Sequence, residues 1–265
     1  SQANGYVRGE GVGMLVLKKL SDAERDGDQI YGLIRGTAIN HGGRANSLTA
    51  PNTSAQTEVL KAAFTRAGVD PRTLGYIEAH GTGTSLGDPV EINALKSAFR
   101  EAGGAPVDGG ACGVGSVKSN IGHLELAAGM AGVIKVLLQM RHRTLVASLH
   151  CEEQNPYIDL GDTPFFIVRE NQPWPRRRDA SGLELPRRAG VSSFGFGGVN
   201  AHVILEEYQA PLHPPAAASR PMLIVLSARD RDRLREQVHQ LVEWIAAGQL
   251  AEQDFEDLAY TLLVG

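Results

Sequence analysis

The chain has 265 residues, with 26 lysines and arginines against 30 aspartates and glutamates, a formal charge of −4 and 42% hydrophobic residues. This balance belongs to a folded protein and excludes a largely disordered chain, a collagen-like repeat and a strongly basic nucleic-acid binder. Two cysteines, Cys112 and Cys151, make no disulfide framework, which fits a reducing cytoplasm, and no apolar run approaches the roughly 20 residues that span a bilayer.

The opening Ser1-Gln2-Ala3-Asn4-Gly5 has no initiator Met and no apolar signal core, and reads as an internal cut. Gly13 to Leu17 is a continuous apolar run and predicts a strand buried on both faces. Tyr31 to Ile39 predicts a second strand. Thr53 with Gln56 resembles a capping box opening a helix that carries Val59, Leu60, Ala63, Phe64 and Ala67 and stops at Gly68. Tyr76 to His80 is a short strand running into the Gly81 to Gly87 loop. Asp88 then caps a helix, with Pro89 in its first position and Glu91 in its third.

Gly103 to Gly113 reads as an exposed glycine-rich loop and Val114 to Lys118 as a strand. A helix through about Met140, apolar nearly all round, predicts burial in the middle of the fold. Phe165 to Val168, Ala189 to Phe194 and Ala201 to Glu206 are strands, the last two forming a hairpin around Gly195 to Gly198. Strands alternating with helices give an α/β layered fold. Residues 209–221, rich in Pro and Ala, predict a linker between a body spanning 1–208 and a small subdomain, 222–265. There Met222 to Leu226 reads as a strand, Ser227 as a cap, and two helices follow, the second exposing an apolar face that leaves the subdomain incomplete.

Three segments combine polar groups with glycines at strand ends: Glu78-Ala79-His80-Gly81-Thr82-Gly83-Thr84, Lys118-Ser119-Asn120-Ile121-Gly122-His123 and Ser193-Phe194-Gly195-Phe196-Gly197-Gly198-Val199-Asn200. With Gly9-Glu10-Gly11, Asn40-His41-Gly42-Gly43 and Thr49-Ala50-Pro51-Asn52, this set resembles the C-terminal half of a β-ketoacyl synthase of modular type I polyketide synthases, from about Gly5 to Glu207. Residues after Tyr208 resemble the start of the adaptor that follows such domains.

The resemblance implies a thiolase-like fold layered αβαβα, of which this chain supplies the C-terminal half, followed by a small, incomplete α/β flanking subdomain. It implies catalytic roles for His80 and His123, with Lys118 supporting them. It places Phe196 and Gly197 at an oxyanion hole and gate, and Thr82, Thr84 and Asn200 along the substrate's phosphopantetheine arm. The family's nucleophile is a cysteine of the N-terminal half. Neither Cys112 nor Cys151 stands in such a setting, so the isolated chain is expected to be inactive. The reaction implied is a decarboxylative Claisen condensation of an acyl thioester with a malonyl-acyl carrier protein. No metal and no bound cofactor are expected, the phosphopantetheine arriving on the acyl carrier protein. The partners implied are the N-terminal half of the same ketosynthase, the carrier protein and a second copy of the complete domain.

Other readings remain beside this one. The chain could be a non-elongating or split ketosynthase segment with a scaffold role, or part of a thiolase-type acyl-transfer enzyme. His41, His142, His150, His202, His213 and His239 read as structural or surface residues, His202 as core. The runs Arg141 to Arg143, Arg176 to Arg178 and Arg187-Arg188 read as solvated faces, or as an attraction for an acidic carrier protein. No His, Cys or carboxylate group has metal-ligand spacing, and the aromatics do not interleave with arginines as a nucleic-acid platform would.

Overall fold

The structure is a computed structural model that describes residues 4–43, 51–104, 106, 108–210, 222–248 and 254–264. The chain divides into two compact units, Ser1–Gln209 and Ala210–Gly265. The expected linker falls almost wholly, and Thr49, Ala50 and His213 entirely, outside the described residues.

The first unit is built on a six-stranded mixed sheet ordered β1-β8-β7-β2-β3-β5. Its strands are β1 (Leu33–His41), β2 (Tyr76–Glu78), β3 (Cys112–Gly115), β5 (Phe165–Ile167), β7 (Arg188–Phe194) and β8 (Val199–Glu206). A two-stranded pair, β4 (Thr144–Leu145) with β6 (Gln172–Pro173), lies apart. Strands β7, β2, β3 and β5 run parallel; β7–β8 is an antiparallel hairpin, and β1 closes the sheet antiparallel to β8.

Alternation along the central strands sends side chains to opposite faces, and both faces are covered. Ile77 and Ile204 join a core with Leu60, Phe64, Leu95 and Phe99 from α2 (Thr53–Ala67) and α3 (Gly87–Glu101). Tyr76 and Leu205 face the other way, onto Val136 and Met140 of α5 (Ala128–His142) and onto Trp174. The result is a helix–sheet–helix sandwich. Gly36 lets α2 lie directly on the sheet, since a Cβ there would stand 2.5 Å from the Ala67 nitrogen.

Several expected elements differ. Gly13 to Leu17 forms no strand; Val12, Met14 and Val16 are 86–98% exposed, because no described strand pairs with this segment. The α2 cap is Asn52, one residue before the expected Thr53, its side chain accepting from Ala55 N–H. Asp88 lies inside α3 and its carboxylate turns back to the Gly83 N–H at 3.1 Å. Cys112 belongs to buried β3, whereas Lys118 opens the short α4 (Lys118–Ile121). Helix α5 buries one side only: Val136 and Met140 are inside, while Leu138 is 45% exposed.

In the second unit, Met222 to Leu226 is not a strand, and Asp230 rather than Ser227 caps α6 (Arg231–Ala246), its side chain accepting from Arg233 N–H. The final helix is α7 (Phe255–Val264). A shorter N-terminal helix, α1 (Leu20–Asp26), completes the first unit.

Candidate active site

Neighbouring parallel strands present two of the three motif segments. β2 ends one residue before Ala79, whose N–H donates to Gly115 O at 2.8 Å, and His80 follows. The β3 chain passes Ser116 and Val117 into α4, which delivers Lys118 and then His123. Gly81 has φ +47, and a Cβ there would meet the Ser116 Cβ at 2.9 Å, so the turn out of His80 requires glycine. His123 is held by a bridge to the N-terminal segment: its N–H donates to Val7 O at 2.7 Å and its carbonyl accepts from Gly9 N–H at 3.0 Å.

The two imidazoles meet edge to face, with ring centroids 5.5 Å apart and planes at 87°. Tyr6 lies 4.8 Å from the His123 ring and Phe194 5.8 Å from the His80 ring. The His123 Nδ1 accepts from the Glu125 N–H at 2.9 Å, which puts the proton of the neutral ring on Nε2 as an available donor. His80 Nδ1 is buried and has no partner. Burial, followed by the charge of Lys118, pushes His80 down to about 3. The same two causes lower His123, opposed by Glu125. Both rings are therefore neutral hydrogen-bond donors near pH 7.

Lys118 also titrates below its ordinary range, mainly through burial, against the pull of Glu91, Glu78 and Asp88. No described residue accepts a hydrogen bond from its ammonium. It borders a cavity of about 680 Å³, lined also by Tyr6, Gly81, Thr82, His123, Cys151 and Arg169.

Two buried carboxylates support this arrangement, Glu91 at the cavity wall and Glu78 behind it. Glu91, from α3, accepts from the consecutive N–H groups of His80 (2.7 Å) and Gly81 (2.9 Å). Burial pushes it up to about 7. Glu78 pairs with Lys135 at 2.9 Å and Tyr76 OH at 2.7 Å, and its other oxygen accepts from Val117 N–H at 2.5 Å.

Of the expected site residues, the structure brings His123, Lys118 and Thr82 together on the cavity wall, with His80 behind them: its chain neighbours Ala79 and Gly81 line the cavity and its ring packs on His123. Thr84 lies just behind: its hydroxyl is 3.2 Å from Thr82 Oγ1 and accepts from Gly87 N–H at 3.0 Å. Phe196, Gly197 and Asn200 are not on the cavity wall. Phe196 is 82% exposed on the hairpin loop, where Gly197 has φ +94. Asn200 is buried and donates to Asn40 Oδ1 at 3.0 Å, tying that loop's base to β1. Contacts among distant segments put Glu91, Tyr6 and Phe194 beside the histidines; no local pattern marks Glu91 or Tyr6, whereas Phe194 lies in the third motif segment. Cys151 lines the cavity, half-buried, its thiol raised chiefly by burial, whereas Cys112 is sealed in β3 and pushed up to about 12.

Arg141 and Arg143 are exposed, Arg141 lying over the Tyr31 ring at 5.5 Å, whereas the other two arginine runs are occupied structurally. Arg176 and Arg187 both bind Glu207, Arg178 binds Glu184, and Arg177 reaches Asp108, Leu74 O and Ala111 O. His202 is core, as expected. Among the described residues no group of three or more His, Cys, Asp or Glu could hold a metal ion, and no helix is long and apolar enough to cross a membrane.

Comparison with known proteins gives matches across this framework. Residues 31–152 match the β-ketoacyl synthase C-terminal domain, residues 155–261 the ketoacyl-synthetase C-terminal extension, and residues 1–23 the β-ketoacyl synthase N-terminal domain. Polyketide synthase PksN of Bacillus subtilis is 58% identical over 100% of this chain and 5% of its own length. Polyketide synthase ThaG of Burkholderia thailandensis is 51% identical over 99% of this chain, again 5% of its own length. Among solved structures, the oxazolomycin ketosynthase domain OzmH KS7 of Streptomyces albus superposes with a TM-score of 0.85 at 49% identity, over 100% of this chain and 45% of that one. The ketosynthase from module 6 of the bacillaene synthase of Bacillus subtilis gives 0.79 at 42% identity, over 99% and 46%.

Proposed function

Since the chain belongs to the β-ketoacyl synthase family, as the C-terminal part of a polyketide synthase ketosynthase with its C-terminal extension, we propose that it supplies the enolate-stabilising half of a decarboxylative condensing site. The chain spans about a twentieth of the curated relatives' length and under half of the solved ketosynthase chains it matches. The pair of neutral imidazoles, 5.5 Å apart with His123 on the cavity wall and His80 packed against it, carries the reading.

A malonyl thioester seated in the cavity would present its carbonyl oxygen to His80 and His123. The bond between the carboxylate carbon and the α-carbon breaks, carbon dioxide leaves, and the electron pair passes through the α-carbon to that oxygen. Neutral donors hold this charge without forming a permanent ion pair with the malonyl carboxylate that must depart. One preorganised donor of this kind is worth roughly 2.7–4 kcal/mol, or about two to three decades of rate. The enolate carbon then attacks an acyl thioester on a cysteine of the N-terminal domain, and the tetrahedral oxyanion collapses, releasing the cysteine thiolate. Phe196 supports an oxyanion role: its N–H has no acceptor among the described residues. Thr82, on the cavity wall, and Thr84 behind it suit a phosphopantetheine arm carried in by an acyl carrier protein.

The N-terminal domain has a surface to meet. Val12, Met14, Val16 and Leu17 are 71–98% exposed, and beside them Ile121, Leu124, Ile134 and Leu138 line an apolar groove of about 530 Å³. Apolar patches of this kind are interface surfaces.

In the complete ketosynthase, His123→Ala should abolish carbon dioxide release from malonyl carrier protein while leaving self-acylation by the acyl donor intact. Release at the wild-type rate would overturn the assignment, and a wild-type protein that acylates but neither releases carbon dioxide nor condenses would move the chain to the scaffold reading.

A further inference from the structure

The reading above assigns the histidines a task that depends on their separation, and among the described residues neither ring is hydrogen-bonded to another side chain. His80 Nδ1 has no partner there, and His123 Nδ1 is met by a backbone N–H. Tyr6 and Phe194 pack on the rings, but the polar contacts that fix their placement are those of the main chain. On that reading, we propose that Glu91 and Glu78 are positioning residues, buried carboxylates that clamp the two histidine-bearing loops from below and set the distance between the rings.

The geometry on the His80 side is a two-point grip. Glu91 is 4% exposed, and its two oxygens take the N–H groups of His80 and Gly81 separately, at 2.7 and 2.9 Å. Two adjacent amides bound by one rigid carboxylate cannot rotate independently, so the turn at Gly81 is locked along with the His80 backbone. The carboxylate makes no ion pair with any cation, so the amides are its main compensation for lost water. Charged groups around it are Asp88 on the same helix, which opposes its ionisation, and Lys118 across the wall, which favours it.

On the other side, Glu78 ends β2 two residues before His80, yet its Oε1 takes the N–H of Val117, the residue immediately before α4. The end of β2 thus leads into one histidine and grips the root of the loop bearing the other. Lys135 and Tyr76 fix the second Glu78 oxygen, so this grip cannot swing. Glutamine at either position keeps the shape but leaves one acceptor oxygen where two are needed, and turns an amide N–H₂ against a backbone N–H.

The test is Glu91→Gln in the complete ketosynthase, read as malonyl decarboxylation with kcat and KM separated, alongside thermal unfolding. The expected result is a kcat at least tenfold lower with an unchanged KM, in a variant that still unfolds cooperatively at a lower temperature because one buried N–H loses its acceptor; a kcat within twofold of wild type overturns the proposal. If the variant does not fold, amide NMR of the wild-type protein decides. The His80 and Gly81 amide resonances should lie downfield and move together with one midpoint as Glu91 takes up its proton, and independent or absent movement overturns the clamp. His80→Ala in parallel keeps the two readings apart. If that variant decarboxylates normally, the histidine assignment fails; if it is dead while Glu91→Gln is normal, only the clamp fails.

Discussion

Replacing His202 with asparagine should flatten the acid side of the chain's stability curve. His202 is 0% exposed, with Nδ1 3.0 Å from Ser192 Oγ and Nε2 without a partner. Burial holds its pKa at about 3 in the fold, against an ordinary 6.5. As pH falls through that window the unfolded chain binds a proton that the folded chain refuses, so stability drops with falling pH. The slope approaches about 1.4 kcal/mol per pH unit below the unfolded pKa, which amounts to roughly 2 kcal/mol between about pH 6.5 and 4.5. That is a large share of the 5–15 kcal/mol of a typical domain. His80, held near 3 as well, adds a loss of the same sign. Glu91 opposes them: raised to about 7 from 4.5, it takes its proton first in the fold and stabilises as pH falls across that range. The introduced carboxamide does not titrate, so His202→Asn should keep the His80 and Glu91 slopes and lose only the third. Urea unfolding at several pH values and constant ionic strength measures this. Whatever the variant loses near neutrality, its deficit should shrink by about 2 kcal/mol from roughly pH 6.5 to 4.5. Curves that stay parallel would refute the reasoning.

Two further outcomes follow from buried chemistry. Lys135→Met should cost about 3–5 kcal/mol in urea unfolding, because it strands Glu78 without its cation in the core; a loss below about 1 kcal/mol would mean that Glu78 is protonated or hydrated there. Alkylation of the native chain should label Cys151 alone, with Cys112 reacting only after denaturation; intact-mass spectra that show both thiols labelled at equal rates would contradict the burial of β3.

The parts of the fold that follow local rules were legible in the chain. The β7–β8 hairpin, the α2 helix with its Gly68 stop and the strand ahead of His80 all read from periodicity and turn residues. The two expected strands that do not form share a cause: a strand requires a neighbour. Gly13 to Leu17 and Met222 to Leu226 have strand composition, but among the described residues neither finds a partner edge. The uniform apolarity of α5 conceals that one side covers the sheet and the other faces outward, a distinction set by what packs on it. In the site, His80, Lys118 and His123 were visible through their motif neighbours. Glu91 looked like an ordinary helix-start residue, since its role depends on a loop that only the tertiary fold returns to it. The Phe196 loop was placed with the histidines by resemblance, whereas the sheet carries it on a different pair of strands.

That division of labour across the sheet has a mechanical consequence. His80 and the Lys118–His123 segment leave from β2 and β3, which are hydrogen-bonded side by side in one register, Tyr76 opposite Gly113 and Glu78 opposite Gly115. A breathing or twisting motion of the sheet transports both imidazoles as one rigid pair, leaving their mutual geometry undisturbed. The glycine loop crowns the antiparallel hairpin instead and is tied to β1, where Gly42 N–H donates to Gly198 O at 2.6 Å. For the site proposed above, the spacing of the two donors is thus a property of the β2–β3 ladder rather than of the glycine loop.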